Sequence, residues 1–156
     1  MRSIALRKAR TALGLPLGTL LLTAVIWVLV WLFSAVTSLV PICYLAHFLG
    51  HDRGLSASIA DPSAKTIGRI KEVARAMELA ARYHPLKDTC YAEALIARMI
   101  LSILSVDHVV VFGVRKKADD TDAALEAHAW VTAGSMPVCG VQASCGYTVV
   151  RCFASI

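Results

Sequence analysis

The sequence predicts an α+β fold in which two helices are followed by an antiparallel sheet, with a hydrophobic helical segment in front of them. Three observations support this prediction. No charged side chain occurs between Arg10 and Asp52, and 57% of the whole chain is hydrophobic. Apolar residues then recur at helical spacing over residues 61–105. From Val109 onward the apolar residues alternate or form short continuous runs, which is typical of strands.

The first element is the apolar stretch from Leu17 to Val40, which we expect to be embedded in a membrane. It holds about the twenty consecutive apolar residues that a helix needs to cross a bilayer. A secretory signal peptide is the alternative, but its apolar core is shorter, roughly 7–15 residues. We therefore expect residues 1–52 to form a basic N-terminus with a membrane-associated segment, and residues 61–156 to form a separate domain.

The topology of the apolar stretch stays open. Four Lys and Arg residues precede it and only Arg53 follows closely, so the positive-inside rule applied to a single span puts the domain outside the cytoplasm. A helical hairpin, or a helix that lies against the domain without spanning, would leave the domain in the cytoplasm.

Net charge and cysteine spacing exclude several classes of function. The net charge is +5, but four of the positive side chains precede the apolar stretch, and the cluster Arg115 to Lys117 has no interleaved aromatic residues. The five cysteines include no CxxC pair, so neither a zinc cluster nor a complete disulfide framework is predicted. No phosphate-binding motif occurs. We expect no nucleic-acid partner, no metal and no cofactor.

Two amphipathic helices and four strands are predicted next. Asp61 is the expected N-cap of the first helix and Pro85 its stop. Asp88 or Thr89 is the expected N-cap of the second, which sets Cys90 in the first turn. The strand candidates are HVVVFGVR, EAHAWVTA, MPVCGVQA and YTVVRCFA.

Cys90 and His128 are the two residues whose predicted positions indicate a chemical role. A helix start stabilises a thiolate through its dipole and its free N–H groups, and so lowers the pKa of a thiol. His128 lies in a predicted strand whose other residues are typical of a buried strand. A histidine on a strand next to such a cysteine can take the thiol proton and later protonate a leaving amine. The two residues are therefore candidates for nucleophilic catalysis.

The run VARAMELAARYHPLKDTCYAEALIARMILSILSVDHVVVFGVRK, continued by AHAWVTAGSMPVCG, resembles the transglutaminase-like leader peptidases of lasso-peptide biosynthesis. The matching motifs are Thr89-Cys90 at a helix start, Gly113-Val114 at a strand end, and Ala127 to Val131 after a charged loop. The resemblance implies a papain-like or transglutaminase-like fold and a cysteine peptidase (a thiol protease). It also implies that Cys90 is the nucleophile and His128 the general base and then the acid.

The resemblance further implies a role in antibiotic biosynthesis: removal of the leader from a ribosomally synthesised precursor peptide. The implied partners are that precursor, a small leader-binding protein, an ATP-dependent macrolactam cyclase and the membrane, through the hydrophobic N-terminus. Because the precursor is made in the bacterial cytoplasm, we expect the domain to be cytoplasmic, at the membrane face.

The expected third catalytic residue is missing at its usual place. From His128 to the last residue the chain has no Asp, Glu or Asn. Gln142 is a candidate to orient the histidine if its strand runs beside the histidine strand, and Asp122 of the upstream loop is another. Trp130 either shields the imidazole or is an ordinary core aromatic, and Tyr91 either lines the site or packs in the core. A thiol acyltransferase and an inactive membrane-anchored scaffold are therefore kept as alternatives.

Overall fold

The structure is a computed structural model that describes residues 16–40, 44, 49–116 and 125–155. It confirms the α+β prediction, because three helices accompany one antiparallel sheet in the described part of the chain. The elements are α1 (Leu17–Leu39), β1 (His51–Asp52), α2 (Ala64–Tyr83), α3 (Cys90–Ile103), β2 (His108–Lys116), β3 (Leu125–Ala133), β4 (Met136–Cys139), a short 3-10 helix (Val141–Ala143) and β5 (Thr148–Ser155).

Helix α2 begins later than the sequence predicts. Its N-cap is Ser63, so the expectation that Asp61 caps this helix is wrong. Asp61 instead accepts a hydrogen bond from the backbone N–H of Ser135 at 2.9 Å, and this bond lowers the pKa of its carboxyl group. The carboxylate therefore ties the β3–β4 turn to the start of α2.

Helix α3 begins at Cys90, as the sequence predicts, with Thr89 as the N-cap. The Thr89 hydroxyl donates to Glu93 Oε1 at 2.6 Å, which closes the first turn through side chains. Asp88 precedes the cap with a φ of 59°, a left-handed conformation that turns the chain sharply into the helix. The turn at Asp88 and the hydrogen bond between Thr89 and Glu93 thus fix the position of Cys90, the first residue of α3.

The sheet has the order β1-β5-β2-β3-β4 with antiparallel neighbours throughout. Strand β1 was not predicted, since two residues carry no periodicity, and it lies at the end of the predicted N-terminal segment. The predicted strand MPVCGVQA is wrong beyond Cys139, because Gly140 adopts a left-handed conformation and a 3-10 helix follows.

The two faces of the sheet are covered differently. The helices cover one face, where Ala129, Val131 and Phe153 join the main core. On the other face Trp130 packs with Val111 and Cys152 in a smaller cluster, which Tyr147 borders. Alternation along β3 puts His128 on the same side of the strand as Trp130.

Helix α1 packs against the domain along part of its length. Ile26 and Val30 are fully buried in the main core. Thr19 donates to Glu72 of α2 at 3.3 Å, and Trp27 Nε1 donates to the Tyr83 carbonyl at 3.4 Å.

The rest of the α1 surface is open. Its exposed large apolar side chains are Leu17, Leu21, Val25, Trp27, Val28, Trp31, Leu32 and Leu39. By length and composition the helix is long and apolar enough to cross a membrane. One such helix near the N-terminus is weak evidence for membrane association.

Candidate active site

Cys90 lies against the strand that carries His128. The thiol is half-buried, and the backbone amides of Ala129 and Tyr91 favour its charged form. Burial outweighs them and raises the pKa of the Cys90 thiol, and the negative charges of Glu93 and Asp88 raise it further. The expectation that the helix start lowers this pKa is therefore wrong, since desolvation is the larger effect.

The His128 imidazole is held by one hydrogen bond and two aromatic rings. Its Nε2 atom donates to the carbonyl oxygen of Gly140 at 2.8 Å. The Trp130 ring stacks on it with centroids 5.9 Å apart and planes inclined by 24°. The Tyr147 ring lies 5.2 Å away at 41°. The hydrogen bond and the two ring contacts thus restrict the rotation of the His128 imidazole about its side-chain bonds.

Tyr147 links the histidine to the cysteine and to a surface ion pair. Burial raises the pKa of its phenol, and a hydrogen bond with Glu126 and the charge of Cys90 act in the same direction. The Arg115 guanidinium lies 4.4 Å from the centre of the tyrosine ring and forms an ion pair with Glu126 at 2.9 Å. Cys90 and His128 therefore both lie near the same tyrosine.

A cavity of about 610 Å³ opens beside the histidine. Its walls come from α2, α3, β3, β4 and the 3-10 helix, and they include Glu93, His128, Cys139 and Gln142. Charges of both signs border it, among them Lys71, Arg75 and Glu78. The volume lies within the range of about 300–1,000 Å³ that is usual for ligand sites.

The remaining residues predicted from the sequence lie in different environments. Gln142 is exposed on the 3-10 helix and not on a strand beside β3. Asp122 lies outside the described residues. Tyr91 packs against Phe112, with ring centroids 5.7 Å apart, and burial raises the pKa of its phenol to about 12. A role in orienting the histidine or in lining the site stays a prediction for all three.

Two residues of this site, Gly140 and Tyr147, were not predicted from the sequence. Gly140 contributes a main-chain carbonyl, which no residue type marks. Tyr147 is the first residue of the predicted strand YTVVRCFA and carries no motif of its own. Among the described residues, no group of three or more His, Cys, Asp or Glu side chains could hold a metal ion.

A comparison with protein families matches residues 36–152 to the transglutaminase-like superfamily. The matched range includes Cys90, His128, Gly140 and Tyr147, and it extends from the end of α1 into β5. Searches of the curated proteins and of the solved structures give no match.

Proposed function

Because this chain belongs to the transglutaminase-like superfamily, we propose that it is a cysteine peptidase that removes the leader from a lasso-type precursor peptide. The superfamily includes cysteine-dependent enzymes. The observation that carries the proposal is the position of Cys90, the first residue of a helix, with its sulfur beside the backbone amide of Ala129, the residue that follows His128 in β3.

In the first half of the reaction, His128 takes the thiol proton of Cys90 while the sulfur attacks the carbonyl carbon of the scissile peptide bond. The tetrahedral intermediate collapses to a thioester, and the imidazolium gives its proton to the leaving amine. In the second half, His128 takes a proton from water, whose oxygen attacks the thioester. The carboxylic acid leaves and the thiol of Cys90 is restored.

The raised pKa of Cys90 determines how the first proton moves. At neutral pH the resting site holds a neutral thiol, because burial disfavours the thiolate. The proton must then leave the sulfur as the attack proceeds, as in general-base catalysis. The amides of Ala129 and Tyr91, which favour negative charge at the sulfur, are candidates to stabilise charge that develops during the reaction.

The cavity beside His128 is the proposed binding site for the peptide around the scissile bond. Its walls carry Lys71 and Arg75 as well as Glu78 and Glu93, so they can pair with charges of either sign on a substrate. We propose that a small leader-binding protein delivers the precursor and that an ATP-dependent cyclase closes the macrolactam on the freed amine. The proposed location is the cytoplasmic face of a bacterial membrane, held by α1.

The test is cleavage of the precursor peptide encoded next to this gene. The full chain in nanodiscs is incubated with that precursor and the neighbouring leader-binding protein, and the products are weighed by mass spectrometry. We expect two fragments whose masses sum to the precursor plus one water, and no cleavage by Cys90→Ala or His128→Ala. A gene neighbourhood without a precursor, or cleavage by the Cys90→Ala variant, would contradict the proposal.

The same experiment addresses a thiol acyltransferase. If an amine replaces water as the acceptor, the product carries the mass of that amine. An added primary amine that is incorporated quantitatively would favour the acyltransferase.

An inactive scaffold is a second candidate, supported by the raised pKa of Cys90 and by the lack of an Asp or Asn after His128. It predicts that the chain assembles with the other maturation proteins whether or not Cys90 is present. Normal maturation of the precursor in cells that carry Cys90→Ala would favour this candidate over the peptidase.

A further inference from the structure

We infer that the main-chain carbonyl of Gly140 is the group that orients His128, in the position where enzymes with a Cys-His pair use a carboxylate or amide side chain. The inference rests on the proposed function, because it names a positioning residue for that reaction. Gly140 follows β4, the strand that pairs with the histidine strand β3. An orienting group is expected at that place in the sheet, and the main chain supplies one.

The hydrogen bond has the geometry of a strong neutral interaction. The Nε2 atom of His128 lies 2.8 Å from the Gly140 oxygen, and the bond is partly buried. A carbonyl oxygen can only accept, so the histidine must be the donor. The neutral ring therefore carries its proton on Nε2 and its lone pair on Nδ1. The atom left to take the thiol proton of Cys90 is Nδ1.

The direction of the Gly140 carbonyl is fixed by its own neighbourhood. The same oxygen accepts a hydrogen bond from the Ala143 backbone N–H at 3.2 Å, which forms the turn of the 3-10 helix. Both lone pairs of this oxygen are thus engaged, one by the helix turn and one by the imidazole.

Only glycine fits at this position. Residue 140 has a φ of 73°, and a Cβ atom there would lie 2.6 Å from the Ala129 carbonyl oxygen and 3.1 Å from Trp130 Cβ. A side chain would therefore have to push β4 away from β3, and the carbonyl with it. The contact with His128 depends on the absence of a side chain at residue 140.

A carbonyl differs from a carboxylate in what it does during the reaction. It fixes the tautomer and the rotation of the ring, but it has no full charge to stabilise the imidazolium that forms. The stacking of Trp130 and the tilted contact of Tyr147 hold the plane of the ring. Orientation is therefore provided without the electrostatic assistance of a third ionised residue.

The experiment reads the His128 tautomer directly by ¹⁵N NMR of the full chain with labelled histidine, assigned by comparison with His128→Gln. We expect the Nε2–H form in the wild type. We expect Gln142→Ala and Asp122→Asn to leave it unchanged, because neither side chain is the proposed partner. An Nδ1–H tautomer in the wild type, or a change of tautomer in either variant, would overturn the inference.

Gly140→Ala tests the same contact by displacement, with Gly54→Ala as its matched control. Gly54 has nearly the same φ, 71°, but a Cβ atom there would meet nothing within 4 Å. We expect Gly140→Ala to lose the tautomer preference and to lower the rate of precursor cleavage by about 100-fold, the scale of general acid–base catalysis. Gly54→Ala should do neither.

The two readouts separate this inference from the proposed function. A wild-type chain that has the Nε2–H tautomer but never cleaves the precursor would contradict the proposed peptidase activity and support the hydrogen bond between His128 and Gly140. A chain that has the Nδ1–H tautomer and still cleaves the precursor would support the peptidase activity and contradict the hydrogen bond between His128 and Gly140. If Gly140→Ala does not fold, the wild-type spectrum and the Gln142→Ala spectrum still decide the assignment.

Discussion

Gly113 of β2 pairs directly with His128 of β3, and the missing side chain of the glycine makes room for the rings that flank the histidine. A Cβ atom on Gly113 would lie 2.9 Å from the Trp130 ring and 3.0 Å from Tyr147 Cβ. The glycine in the sequence Phe-Gly-Val therefore allows two aromatic side chains to approach the imidazole from the same face of the sheet.

Gly113→Ala should consequently disturb both stability and the site. We expect the free energy of unfolding to fall by about 1–3 kcal/mol, because the new methyl group overpacks a well-filled cluster. The control is Gly68→Ala in helix α2, where nothing lies within 4 Å of the added Cβ and the helix should gain about 0.5–1 kcal/mol. Urea unfolding measures both changes, and equal effects of the two substitutions would contradict this account.

The reactivity of Cys90 should follow a raised pKa. Only the thiolate reacts, so alkylation of Cys90 by iodoacetamide should be slow at pH 7 and should keep rising above pH 8.5, about the value of an ordinary thiol. The exposed Cys145 serves as an internal reference in the same peptide map. An apparent pKa below about 8.5 that is lost in His128→Ala would contradict this prediction and would indicate a preformed thiolate–imidazolium pair.

Tyr91→Phe should leave the protein at least as stable as the wild type. The Tyr91 hydroxyl is buried and has no hydrogen-bond partner in the part of the chain that the structure describes, while its ring packs against Phe112. Removing an unsatisfied buried hydroxyl can stabilise a fold by up to about 1–3 kcal/mol. Thermal unfolding at neutral pH measures the effect. A clear loss of stability would mean that the hydroxyl binds a group such as an ordered water.

Helix α1 should bind membranes through its outer face. Leu21 is 61% exposed on that face, so Leu21→Asp should reduce flotation of the protein with lipid vesicles and leave the fold intact. Ile26 is fully buried, so Ile26→Ala should instead lower the free energy of unfolding by about 2–5 kcal/mol. Unchanged flotation of a folded Leu21→Asp variant would contradict membrane binding by this face.

The helices and most of the sheet could be predicted because their burial patterns are periodic. The apolar spacing of α2 and α3 and the N-cap at Thr89 predict Cys90 in the first turn of a helix, where the structure has it. Strand β1 could not be predicted, since its two residues are exposed and gain their conformation only by pairing with β5.

The candidate site was harder to predict than the fold. A sequence reveals side chains and not main-chain geometry, so Gln142 and Asp122 were the predicted partners of His128. The hydrogen-bond acceptor is a backbone oxygen on a residue that has no side chain. The pKa of Cys90 was predicted with the wrong sign, because the helix start is a local feature whereas burial depends on how β3 packs against it.

The strand order also constrains how the chain folds. Strand β5 inserts between β1 and β2, and His51 pairs with Ala154, far along the chain. The five-stranded sheet therefore cannot form completely until β5 has left the ribosome. The apolar helix α1 emerges long before β5. Non-local pairing of this kind slows folding. Until β5 pairs with it, that edge of β2 keeps unpaired N–H and C=O groups, which makes the incomplete sheet prone to pair with strands of other chains.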